Sequence, residues 1–102
     1  MKRKQMHPAK RLLVDFIKQR LPPFLRADGG AMMKHRAQDH IHREFRKLHG
    51  WPEALDEIEL LTRNIGRERW TNAWGHALRE LTLEGSTEPC AETEHYALKN
   101  RG

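Results

Sequence analysis

The chain has 102 residues, of which 37% are hydrophobic and 32% charged, enough for one packed domain and too little for a second core. A single cysteine, Cys90, excludes an internal disulfide and a cysteine-built zinc framework, and no stretch approaches the roughly 20 apolar residues of a membrane-spanning helix. The net charge of +5 is uneven: residues 1–50 carry 13 Lys or Arg against 4 Asp or Glu, a balance of +9, whereas residues 51–102 carry 6 against 10, a balance of −4.

Residues 1–7 lack apolar periodicity and read as a mobile basic arm. Its start is basic like that of a signal peptide, but Gln5, His7, Pro8, Lys10 and Arg11 stand where the apolar run should follow, so no export and a cytoplasmic location are expected. From Pro8, a residue suited to a first helical position, Ala9, Leu12, Leu13, Phe16 and Ile17 recur at helical spacing. Pro22 and Pro23 lack amide hydrogens and predict that this first helix ends near Leu21. Phe24 and Leu25 then pack beneath a loop running to Asp28-Gly29-Gly30.

The second predicted helix runs from about Ala31 to His49, with Met33, Ala37, Ile41, Phe45 and Leu48 on its buried face, Asp28 or a loop amide as its cap and Gly50 as its stop. A third opens at Pro52 with Glu53, Asp56 and Glu57 near its amino end and buries Ala54, Leu55, Ile58, Leu61 and Ile65. Gly66 breaks the chain, and a fourth begins near Arg67 with Trp70, Ala73, Trp74, Ala77, Leu78 and Leu81 on one stripe. Beyond Gly85 the polar residues Ser86, Thr87 and Pro89 predict a loose tail, with a short frayed helix over Ala91 to Asn100. The expected fold is all-α: a compact, four-helix bundle-like domain over residues 8–84, with a basic arm at 1–7 and a polar tail at 85–102.

The charges carry the functional reading. Arg36, His40, Arg43 and Lys47 are spaced four, three and four, which puts them on one exposed stripe opposite Ile41. Lys10, Arg11 and Lys18 share the outer face of the first helix, and Lys2, Arg3 and Lys4 in the arm extend the same surface. Such a surface neutralises phosphates and releases counterions, the sequence-independent part of nucleic-acid binding.

Competing chemistries fit less well. The turn at Asn64-Ile65-Gly66 invites comparison with a helix-turn-helix, whose reading face would be Arg69, Asn72, His76 and Arg79, but Glu53, Asp56, Glu57 and Glu59 load the preceding helix with charge that phosphates repel. His35, Asp39 and His42 have ligand spacing, yet Arg46 beside them repels a metal ion; the histidines are expected to be neutral surface groups that gain charge near pH 6. An all-helical class of ribonucleases pairs arginine with a histidine a few residues on, as in Arg36/His42, Arg43/His49 and Arg69/His76. With 12 arginines and 7 histidines such pairs arise by chance.

No nucleophile elbow or phosphate-cradling glycine loop is present. The expectation is therefore a non-catalytic binding protein without metal or cofactor, contacting nucleic acid (DNA or RNA) through its basic amino-terminal half in a regulatory or accessory role. The alternative is a docking inhibitor or adaptor, of the kind carried by phages and plasmids, whose basic stripe meets an anionic protein surface. The exposed Val14 and Leu60 faces, basic and acidic respectively, add the expectation of a homodimer.

Overall fold

A computed structural model of the chain describes residues 8–50, 73–89 and 94–99. These form helix α1 (Pro8–Ala27), strand β1 (Ala31–Met33), helix α2 (Lys34–His49), helix α3 (Ala73–Leu83) and strand β2 (His95–Ala97). The arrangement is compact and mostly α: 71% of the described residues are helical, and β1 and β2 make a two-stranded antiparallel sheet. That sheet corrects the all-α expectation. The basic arm and the predicted third helix, Pro52 to Ile65, lie outside the described residues, as do residues 67–72 of the predicted fourth. No helix among the described residues is long and apolar enough to cross a membrane.

Helix α1 does not stop at Leu21 but passes through Pro22 and Pro23 to Ala27. Each interior proline forfeits a backbone hydrogen bond and costs about 3 kcal/mol. Leu21 and Leu25, one turn apart, are fully buried; at about 1.5–3 kcal/mol each, and with Phe24 packed against the core, their burial offsets most of that cost. Proline also holds a helix-compatible φ, so the backbone continues if the apolar face rewards it. The helix ends instead at Ala27: the Gly29 N–H bonds the Arg26 carbonyl, and the Gly29 φ of 87° turns the chain so that the Gly30 N–H reaches the Leu25 carbonyl at 2.7 Å. This doubled closure is available at positive φ chiefly to glycine. Helix α3 ends the same way at Gly85, with Ser86 N–H bonded to the Leu81 carbonyl.

Residues 31–33 extend into β1 because they have a partner: Ala31 faces Ala97, Met32 faces Tyr96 and Met33 faces His95. Helix α2 therefore starts at Lys34, three residues later than its periodicity suggests. Its cap is neither Asp28 nor a loop amide group; Met33 occupies the cap position without a side-chain bond, and the Lys34 N–H donates to the Glu94 carbonyl at 2.9 Å. Ala37, Ile41 and Phe45 face inward as expected, whereas Met33 (42% exposed) and Leu48 (58%) do not. Gly50 closes the helix with its N–H on the Arg46 carbonyl.

The loose tail and its frayed helix are also corrected. Residues 94–99 form an extended segment fastened on both sides. Leu98 N–H bonds the Gly30 carbonyl, Glu88 N–H the Ala97 carbonyl and Lys99 N–H the Ser86 carbonyl, and Thr87 and Leu98 bridge antiparallel. Tyr96 is wholly buried, its ring stacked on Trp74 at 5.2 Å between centroids, and its hydroxyl accepts a 2.7 Å hydrogen bond from Gln38 Nε2. Lys34, also fully buried, holds its ammonium 5.6 Å from the centre of the same ring. Trp74, Ala77, Leu78 and Leu81 of α3 complete the core, as their spacing predicts.

Candidate nucleic-acid interface

Helix α1 is the hinge of the charge distribution, because its two flanks meet different helices. On one flank the row Lys10, Val14, Lys18 turns toward α3. Val14 is fully buried, so the exposed Val14 face that a homodimer required does not exist; Leu60, its proposed counterpart, is outside the described residues. Across from this row α3 presents His76, Glu80 and Glu84 at one-turn intervals. Arg11 pairs with Asp15 in its own helix and with Glu80 at 3.2 Å. Lys18 contacts Glu80 at 2.9 Å and Glu84 at 2.8 Å. The hydrogen bonds Arg11 donates to Asp15 and Glu80 raise its pKa, and those Lys18 donates to Glu84 and Glu80 raise that of Lys18. Burial alone would push the Glu80 carboxyl up, but the hydrogen bonds from Arg11 and Lys18 hold it below the ordinary carboxylate value.

Arg11 and Lys18 are thus neutralised within the chain and drop out of the expected phosphate-binding surface. The row Lys10, Arg11, Lys18 lines the partly exposed rim of the contact with α3 and is not a separate outer face. His76, expected on an outward reading face, also turns to this flank: burial and the nearby Lys10 charge lower its pKa. Of that expected face, Arg79 is exposed and Arg69 and Asn72 lie outside the described residues. Lys2, Arg3 and Lys4 lie outside them too.

The other flank of α1 meets α2 through rings. Phe16 meets Phe45 edge-on at 5.4 Å, and Phe24 stacks on His40 at 3.9 Å with the planes only 6° apart. These contacts run in opposite chain directions, so the helices are antiparallel neighbours with Phe24 level with His40 and Phe16 level with Phe45. With Ala37, Ile41 and Phe45 inward, Arg36, Arg43 and Lys47 are exposed on the far side and His40 is half-buried at its border. Among the described residues no carboxylate pairs with Arg36, Arg43 or Lys47.

The rotation of α2 is fixed from below as well as by its apolar stripe. The Trp74 Nε1–H donates to His42 Nε2 at 2.8 Å, which puts the histidine proton on Nδ1. Burial, reinforced by the Arg46 charge, lowers the His42 pKa to about 4. His42 is therefore a neutral, half-buried acceptor, neither a surface group nor one that charges near pH 6. Among the described residues no group of three His, Cys, Asp or Glu side chains is placed to hold a metal ion.

Reading the sequence missed Arg20. It is exposed on the α2-facing flank of α1, with its guanidinium carbon 5.2 Å from the centre of the Phe16 ring. The signal was present in the four-residue spacing of Phe16, Arg20 and Phe24, which places all three on one row. Comparison with known protein families, with curated proteins and with solved structures gives no match.

Proposed function

We propose that this chain is a non-catalytic binding protein that contacts nucleic acid, chiefly its phosphates, through the outer face of α2. The observation carrying this reading is that Arg36, Arg43 and Lys47 stand exposed on one helix face with no ion-pair partner among the described residues, while cations of the same type on α1 are internally paired. Unpaired, aligned cations attract polyanions and release condensed counterions when they bind them. Among the described residues an anion also meets these cations without first displacing an ion-paired carboxylate.

Electrophoretic mobility shifts with duplex DNA, single strands and structured RNA test this at two salt concentrations. Wild-type affinity should fall steeply with salt, and Arg36→Glu/Arg43→Glu/Lys47→Glu should lose about a hundredfold at low salt. Unchanged affinity in the triple variant overturns the reading. The adaptor reading, docking on an anionic protein surface, is separated by pull-down with and without nuclease. Partners lost on nuclease treatment support nucleic-acid contact, and partners retained support docking.

A further inference from the structure

Building on the phosphate-contacting face of α2, we infer that the seam between α1 and α2 takes single-stranded nucleic acid, with a base stacked at the Phe24–His40 ring pair and phosphates held by Arg20, Arg36, Arg43 and Lys47. The antiparallel pairing puts Arg20, midway between Phe16 and Phe24 on its row, level with the middle of the α2 stripe. Arg20 is exposed, held over the Phe16 ring rather than on a carboxylate, and faces the same seam as His40. The cationic surface thus continues across the seam from one helix to the other, bordering a pair of half-buried aromatic rings. Glu44 also borders this seam, but among the described residues it makes no ion pair with Arg20. Asp39, exposed one turn from Arg36 and Arg43, borders the other edge of the stripe; four cations against these two carboxylates leave the surface positive.

The juxtaposition selects between strands. Duplex bases are already stacked on one another and offer phosphates, and base edges within the grooves, to a helix. Single strands expose base faces that stack on aromatic rings while a positive surface tracks the backbone. A purely electrostatic patch needs no rings at its centre. Here Phe24 and His40 lie parallel at 3.9 Å and are half-buried, so a base that stacks on this pair extends an existing column.

Fluorescence anisotropy with a short single-stranded oligothymidylate and a duplex of the same length tests the inference at low salt. His40→Ala should weaken single-strand binding by about fivefold and leave duplex affinity unchanged, and His40→Phe, which keeps a stacking ring, should restore it. Arg20→Ala should weaken single-strand binding by about threefold. Melting curves of each variant confirm that the seam is intact. If His40→Ala changes neither affinity, or both equally, while the α2 triple variant still abolishes binding, the stacking seam is overturned and the phosphate surface stands. If wild type binds neither probe, both readings fail together.

Discussion

Both flanks of α1 carry cations on rows of four-residue spacing, and those cations have opposite fates. Toward α3, Arg11 and Lys18 meet Glu80 and Glu84 and become part of the fold's internal electrostatics. Toward α2, Arg20 sits over an aromatic ring and borders a stripe whose cations keep their charge to solvent. A basic stripe acquires its role from the element packed beside it, and that element comes from more than sixty residues away in sequence on the neutralised side. The flanks are also fastened differently: the α3 flank by ion pairs, and α2 by rings and a neutral hydrogen bond from Trp74 to His42.

That difference in fastening predicts two separate responses to acid, the larger belonging to α2. His42 has a folded pKa of about 4 against an ordinary value of 6.5, so between these values the unfolded chain binds a proton that the folded one refuses. Its contribution is complete above about pH 6.5 and declines as pH falls toward 4, a loss of roughly 3 kcal/mol. Denaturant titrations across this range should show the decline, and His42→Gln, which keeps an acceptor for Trp74, should flatten it. On the other flank His76, its pKa lowered by burial and the Lys10 charge, adds a loss as pH falls below the ordinary imidazole value, while the ion pairs respond at lower pH, because Glu80 is held below its ordinary pKa. Its stabilisation is present above the usual carboxylate range and disappears as pH drops through the lowered value.

Charge reversal on the paired flank comes next in size. Arg11→Glu/Lys18→Glu places new carboxylates against Asp15, Glu80 and Glu84. Screening at these partly exposed sites limits the loss to about 2 kcal/mol, read as a lower melting temperature. Nucleic-acid affinity per folded molecule should fall by only about threefold, from the added negative charge, against about a hundredfold in the α2 triple variant, which should keep its melting temperature. A large affinity loss in Arg11→Glu/Lys18→Glu would erase the distinction between the flanks.

The smallest effect sharpens the comparison most. Glu80→Gln removes the carboxylate shared by Arg11 and Lys18; both cations are partly solvated, so stability should fall by less than about 1 kcal/mol. It also frees part of their charge, and affinity for a polyanion at low salt should rise by about twofold. If affinity falls, the paired cations already contribute to binding.

Periodicity made the cores of the helices legible. The start of α1 at Pro8, the inward face Ala37, Ile41 and Phe45, and the α3 stripe from Trp74 to Leu81 all follow from spacing that any helix must obey. Long-range pairing was not legible. Strands of three residues, Ala31–Met33 and His95–Ala97, are too short to display alternation, and each is extended only because the other lies beside it. Val14 reads as a lone exposed aliphatic until α3 is placed against it, and Pro22-Pro23 reads as a stop until the burial of Leu21 and Leu25 is weighed against it. Within the candidate surface, helical spacing correctly grouped Arg36, Arg43 and Lys47. Spacing could not say that Arg11 and Lys18 would meet carboxylates, since a wheel shows which side chains share a face and not what that face touches.

The bond from Lys34 N–H to the Glu94 carbonyl has a consequence for the order in which the protein is made. A ribosome synthesises α2 before it translates the segment that satisfies the amide end of that helix and lays Tyr96 over Trp74. Nascent chains arrested before Glu94 should therefore display the basic stripe on a helix whose first turn frays, and the rigid version of that surface waits for residues 94–99.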